Sequence, residues 1–249
     1  MIPPRPYEIV LLDVGGTLVR PSVSFGAVYA EAVAALGLDL DPARAERSIR
    51  EVSREMDMAI PSGANRYAHF AGGEEEYWLR FARESLERAS TTPLPPGFAV
   101  RALERIREAF LDPAAWTVFP DVRPAIARMR EDGARLAVVS NWDSRLPQVL
   151  ERLDLASCFE DIGVSCFEGV EKPDPRIFAR VLERLGSAPS KALHVGDVPD
   201  LDLAGARAAG VTGLLVDRRE PPDRDSAALP DLGPLPGIAR GEIGWPASA

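Results

Sequence analysis

Four places in this chain bring reactive side chains to the end of an apolar run or onto a loop between such runs. Ile9-Val10-Leu11-Leu12 ends in Asp13-Val14-Gly15-Gly16-Thr17-Leu18, which delivers one carboxylate to a glycine-rich turn. Leu136-Ala137-Val138-Val139 ends in Ser140-Asn141. Ala192-Leu193-His194-Val195 ends in Gly196-Asp197, with Asp200 and Asp202 close behind. Between the last two, Glu171-Lys172-Pro173-Asp174-Pro175 places a lysine on a loop. Such a set supplies carboxylates for nucleophilic attack or for holding a divalent cation, and a hydroxyl and an ammonium for cradling an anion. Each feature alone has a plainer account: Asp before Gly-Gly is ordinary turn chemistry, a serine can cap a strand end, and a lysine can be a solvated loop charge.

Order and position make the set more than the sum of these accounts. In an open α/β sheet the ligand crevice lies outside the carboxyl ends of parallel strands, so a carboxylate that ends a buried run is presented to a ligand. Lysine occurs only at Lys172 and Lys191, and arginine serves elsewhere as the generic surface cation. A lysine in this loop is therefore not a routine surface choice.

The ordered set of Asp13, Ser140, Lys172 and Gly196-Asp197 resembles the haloacid dehalogenase-like hydrolase superfamily, over a span from Tyr7 to about Asp217. The resemblance implies that Asp13 attacks phosphorus in line and forms an aspartyl-phosphate. It implies Mg²⁺ held by Asp13, the backbone carbonyl of Gly15 and Asp197, with Asp202 acting from behind or through water. Ser140 and Lys172 would hold the non-bridging phosphate oxygens. Gly16 and Thr17 in the first turn, and Asn141 and Trp142 after Ser140, are the candidate substrate contacts. Asp200 fits the pattern less well and reads as the N-cap of the next helix. His194, inside an apolar run, reads as a hydrogen-bonded core histidine.

One departure bears on the reaction. Phosphatases of this superfamily usually carry a second Asp two residues after the nucleophile, which protonates the leaving oxygen and then activates water; here that residue is Gly15. General acid/base groups contribute about 10²–10⁴ in rate, so activity on ordinary phosphomonoesters is expected to be weak. Gly15→Asp is expected to restore part of it, provided the turn tolerates a side chain. Three readings stay open. The favoured one is a Mg²⁺-dependent, phosphatase-like hydrolase acting on a small phosphorylated metabolite. The second is a 2-haloacid dehalogenase-type hydrolase, which works without Mg²⁺ and usually lacks a Gly196-Asp197 type of closing motif. The third is a catalytically weakened member that binds a phosphate ligand or a protein.

Composition excludes other classes. The 249 residues, 46% hydrophobic and 27% charged, suffice for a sizeable core and a second small domain. No run approaches the roughly 18 apolar residues of a membrane span. The start, Met1-Ile2-Pro3-Pro4-Arg5-Pro6, lacks a signal-peptide pattern, so the expected address is cytoplasmic. A net charge of -9 opposes nucleic-acid binding, which needs a basic face. Arg44, Arg47, Arg50 and Arg54 are interleaved with Glu46, Glu51 and Glu55, as on a solvated helix face. Cys158 and Cys166 lack metal-site spacing and read as buried thiols. The oligomeric state is left open.

The elements that must position these residues follow from periodicity. From Asp121 onward, strands and helices alternate: helix 123–131, strand 136–140, helix 144–152, strand 162–165, helix 175–185, strand 192–195, helix 200–209 and strand 213–216. Gly133, Gly186 and Gly210 sit where helices should end. This pattern predicts an α/β fold with a Rossmann-like parallel sheet. From Pro21 to about Trp116 the pattern is helical only, with helices expected at 25–36, 43–58, 74–89 and 98–110. The expected organisation is a discontinuous core, 1–20 and 117–249, with an inserted helical bundle at 21–116; in the resembling superfamily a mobile cap occupies that place. Asn65, Arg66, Tyr67 and His69 form a polar-aromatic cluster on the bundle, a candidate for specificity contacts. The proline- and glycine-rich tail after Asp217 is expected to be irregular, with Trp245 as a packing anchor or disordered.

Overall fold

The structure is a computed structural model that describes residues 6–218 and 228–244. It divides into two compact units, one built from Met1–Arg20 and Val118–Ala249 and the other from Pro21–Thr117. Trp245 lies outside the described residues.

The first unit is organised on a five-stranded parallel sheet. Its strands are β1 (Ile9–Leu12), β4 (Arg135–Ser140), β5 (Asp161–Val164), β6 (Ala192–Gly196) and β7 (Thr212–Leu215), in the order β5-β4-β1-β6-β7. The short β2 (Val19–Pro21) and β3 (Trp116–Val118) pair separately, at the two places where the chain passes between the units. β1 is central, and its four residues are wholly buried because helices cover both faces of the sheet. That is why the strand reads as an unbroken apolar run and not as an alternation. The register aligns Leu12 with Val138 on one side and with Val195 on the other, so β4 runs two residues and β6 one residue past the end of β1.

The helices of this unit are α5 (Val122–Glu131), α6 (Leu146–Arg152), α7 (Ser165–Glu168), α8 (Arg176–Leu185), α9 (Ala204–Ala208) and α10 (Leu235–Ala239). Ile177, Phe178, Val181, Leu182 and Leu185 of α8 recur at helical spacing and pack on Ile9, Leu11, Ala137 and Val139, the alternate residues of one sheet face. Gly133, Gly186 and Gly210 adopt positive φ where their helices end, as the spacing predicts.

Three details differ from the sequence expectations. Asp200 does not cap a helix: residues Pro199–Leu203 form a π-helical turn before α9, and the Val198 N–H is taken by the Asp202 carboxylate at 2.9 Å. Cys158 and Cys166 are half-buried, since both lie in short surface turns and not in core elements. The described part of the tail is ordered against the core. Leu229 exchanges backbone hydrogen bonds with Leu215 and Asp217, and Leu229, Leu232 and Leu235 are fully buried. Leucines spaced three apart, each contributing about 1.5–3 kcal/mol on burial, outweigh the local preference of proline and glycine for irregular chain.

The second unit is all helical: α1 (Phe25–Ala34), α2 (Pro42–Met58), α3 (Gly73–Ala89) and α4 (Phe98–Leu111). Asp41 caps α2 by accepting from the Arg44 N–H at 2.6 Å, with Pro42 at the first helical position. Gly26 lets α1 approach α2, because a Cβ there would strike the backbone of Pro42 and Glu46. The solvated face of α2 carries the expected Arg50–Glu46 pair at 3.0 Å. Within the 65–69 cluster Asn65 caps a turn, Tyr67 is buried edge-on to Tyr77 at 5.3 Å, and Arg66 pairs with Asp57. His69 is exposed. Among the described residues no helix is long and apolar enough to cross a membrane.

Candidate active site

Asp13 follows β1 directly, its N–H bonded to the Val195 carbonyl of β6 at 2.9 Å, so its side chain starts from the centre of the sheet's carboxyl edge. The chain then turns tightly: the Val14 carbonyl accepts from the N–H groups of Thr17, Leu18 and Val19. Gly16 sits in this turn at φ 75°, a left-handed conformation, and a Cβ on it would strike the Asp197 carboxylate. Glycine is therefore required at 16 twice over, by backbone and by space. Thr17 is buried; its hydroxyl faces Asp197 at 3.4 Å, and its carbonyl accepts from Arg218 at 2.6 Å.

Lys172 is the hub. Its side chain is 2% exposed, and the ammonium lies 2.9 Å from Asp13 Oδ1 and 2.6 Å from Asp202 Oδ1. Burial alone would push the ammonium toward neutrality, but the charges of Asp13 and Asp202 outweigh it and hold its pKa above the ordinary lysine value. Asp202 answers in kind. Despite burial, Lys172 and then His194 hold its carboxyl below the usual range. Its Oδ1 is shared by Lys172 and by His194 Nε2 at 2.9 Å, and its Oδ2 accepts from the Val198 N–H. Gly196 makes room for this carboxylate, which a Cβ there would strike. His194 is a fully buried, hydrogen-bonded core histidine, edge-on to Phe178.

Asp197 behaves differently. Burial, reinforced by the charges of Asp13 and Asp202, pushes its carboxyl up to about 6. One oxygen from each of Asp13, Asp197 and Asp202 lies within 4.8 Å of the others. Three carboxylates facing one ammonium leave negative charge uncompensated, an electrostatic setting that favours a hard divalent cation.

Ser140, buried at the last position of β4, stands at the same sheet edge. The loop behind it is firmly built. Asn141 exchanges two hydrogen bonds with the backbone of Lys172, donating to its carbonyl at 3.0 Å and accepting from its N–H at 2.7 Å. Asn141 thus positions the lysine. Trp142 is half-buried, with its ring against Gly15. The structure brings Asp13, Gly16, Thr17, Lys172, Asp197 and Asp202 together through these contacts, with Asn141 holding Lys172 and Trp142 beside Gly15.

Residues 7–210 match the haloacid dehalogenase-like hydrolase family. The chain belongs to that family. It is 32% identical over 236 residues to a glyceraldehyde 3-phosphate phosphatase of Methanopyrus kandleri, covering 90% of this chain and 91% of that one. It is 30% identical over 236 residues to the human haloacid dehalogenase-like hydrolase domain-containing protein 3, covering 93% and 91%. Among solved structures, a haloacid dehalogenase-family phosphatase from Thermococcus onnurineus shares the fold at 23% identity, with a TM-score of 0.65, over 94% of this chain and 99% of that one. The family and the parallel sheet anticipated from the motif order are thus both found.

Two positioning residues lay beyond sequence reasoning. Ser165 Oγ bonds both the N–H and the carbonyl of Trp142, each at 3.1 Å, and Arg218 fixes the Thr17 carbonyl from 201 residues away. Neither carries a local signal, since a serine opening a short helix and an arginine after a strand are common.

Proposed function

We propose that this hydrolase is a Mg²⁺-dependent phosphatase that moves the phosphoryl group of a small phosphorylated metabolite first to Asp13 and then to water. One observation carries the reading: a carboxylate at the end of the central strand, 2.9 Å from a buried ammonium, shares a 4.8 Å cluster with two further carboxylates. The likeness to a glyceraldehyde 3-phosphate phosphatase supports a small phosphorylated substrate. Asp197 and its crowding favour phosphoryl chemistry over halide displacement, which needs no metal-binding carboxylate.

Asp13 and Asp197, with the Gly15 carbonyl, would hold the cation; Asp202, whose oxygens already serve Lys172, His194 and Val198, acts through Lys172. When bound, Mg²⁺ offsets the repulsion between the nucleophile and the phosphate. An Asp13 oxygen bonds to phosphorus as the bond from phosphorus to the leaving oxygen breaks, and the electron pair departs with that oxygen. Lys172 and Ser140 steady the non-bridging oxygens. Water then adds to phosphorus, the bond to Asp13 breaks, the carboxylate is regenerated, and a proton passes to solvent. With glycine at 15, leaving groups that depart unprotonated, those of acyl and aryl phosphates, are the preferred ones. The helical unit Pro21–Thr117 is read as the cap that sets specificity, and the address as cytoplasmic.

The test is a screen of acyl, aryl and alkyl phosphates and of 2-haloacids, with Mg²⁺ and with excess chelator, on wild type and Asp13→Asn. Phosphate release that needs both Mg²⁺ and Asp13 is expected. Metal-independent halide release, or full activity of Asp13→Asn, would remove the reading.

A further inference from the structure

Position 15 is where the chemistry of this chain is set apart, and the structure shows what fills it. The backbone at Gly15 is not left-handed, unlike that of Gly16, so the turn does not itself demand glycine there. The constraint comes from outside the turn. A Cβ on Gly15 would lie 3.2 Å from Cζ3 of Trp142 and 3.9 Å from Cε3, and would meet nothing else within 4 Å. The first of these is tighter than ordinary van der Waals contact between carbons.

The indole cannot easily give way as part of its loop. Ser165 holds both backbone polar groups of Trp142, Asn141 is locked to the Lys172 backbone, and buried Asp143 accepts from the Arg145 backbone and guanidinium. Moving Trp142 with its backbone would disturb the segment that aims Lys172 at Asp13. A Cβ at 15 therefore needs the ring to give by a few tenths of an ångström, and the freest way to make that room is to rotate or truncate the ring.

We propose that Trp142 is a specificity-determining residue, matched to Gly15: its indole occupies the space a side chain at 15 would need and leaves a carbon edge, unable to move a proton, two residues from the nucleophile. This inference rests on the phosphatase reading for its consequence, a preference for aryl and acyl phosphates over alkyl phosphates. It also revises the expectation that Gly15→Asp alone restores activity on alkyl phosphates. The carboxylate needs a smaller partner at 142 as well.

Two measurements separate the pairing from the reading. In urea unfolding, Gly15→Ala is expected to lower the midpoint in the wild-type background and to leave it unchanged or raise it in Trp142→Leu; equal shifts in both backgrounds would overturn the pairing. In kinetics with Mg²⁺, the ratio of kcat/KM on glycerol phosphate to that on p-nitrophenyl phosphate is expected to rise about 10²-fold in Gly15→Asp/Trp142→Leu and by much less in Gly15→Asp alone. An equal rise in the single and double variants would overturn the role of Trp142. No hydrolysis of either ester by wild type would overturn the phosphatase reading and the specificity claim together, while the unfolding cycle would still decide whether indole and glycine are coupled.

Discussion

At the residue scale the molecule is governed by one ammonium among carboxylates. Lys172 is desolvated, and only Asp13 and Asp202 keep it charged; in return it keeps those two anions from facing each other bare. Removing one partner of a buried pair typically costs about 3–5 kcal/mol, because the remaining charges stay buried and uncompensated. Lys172→Met should therefore destabilise the protein by about that amount in urea unfolding and should abolish turnover. A loss below about 1 kcal/mol would place the pair with surface salt bridges, whose contribution is small.

At the scale of elements, the C-terminal segment is tied to the core by Asp121, which precedes α5. Its carboxylate accepts from Arg218 at 2.7 Å and from the Leu232 N–H at 2.8 Å. Burial would raise this carboxyl, but the Arg218 and Leu232 hydrogen bonds and the Arg218 charge outweigh it, so its pKa lies below the ordinary 3.8. A carboxyl whose folded-state pKa is depressed contributes stability above its unfolded value and loses it as pH falls through the folded one. Asp121→Asn should thus cost about 1–3 kcal/mol at pH 7, and the gap to wild type should close as the pH drops below about 4. Denaturant midpoints of both proteins across that range give the check; a gap independent of pH would assign the effect to packing alone. Arg218 also spans Thr17 and stacks over Phe119 at 4.2 Å, so the same anchor steadies the turn after the nucleophile.

The molecule as a whole carries a net charge of -9, and at the sheet edge three carboxylates lie within 4.8 Å of one another. A ligand that binds only the folded state stabilises it by about 2.7 kcal/mol at a hundredfold excess over Kd. For a chain of this size that corresponds to a rise in Tm of roughly 5–10 °C. Mg²⁺ should produce such a rise in wild type and little of it in Asp197→Asn, as followed by calorimetry. A rise of equal size in both would move the cation away from this cluster.

The five strands of the larger sheet, most helices and the list of reactive residues were legible in the sequence, because each is a local property, whereas the short pair β2 and β3 was not. Unbroken apolar runs mark β1, β4 and β6; Asp41-Pro42 opens α2; glycines close the helices; Ser140 ends a strand; and Asp13 and Asp197 follow strands, whatever their neighbours. The sequence also showed that position 15 lacks a carboxylate. Which of these residues meet depends on how the strands are ordered in space. The order β5-β4-β1-β6-β7 sets β4 and β6 on either side of β1, and so brings Trp142 onto Gly15 and Asp197 over Gly16. It spends Asp202 on Lys172, His194 and Val198, and it recruits Arg218 to Thr17. The buried leucines of the tail belong to the same class, since proline and glycine report local chain preference while burial depends on a surface assembled from distant segments. Periodicity records which face of an element is apolar; the partner that covers that face, and the side chain that fills the space beside a glycine, are fixed only when the strands take their places in the sheet.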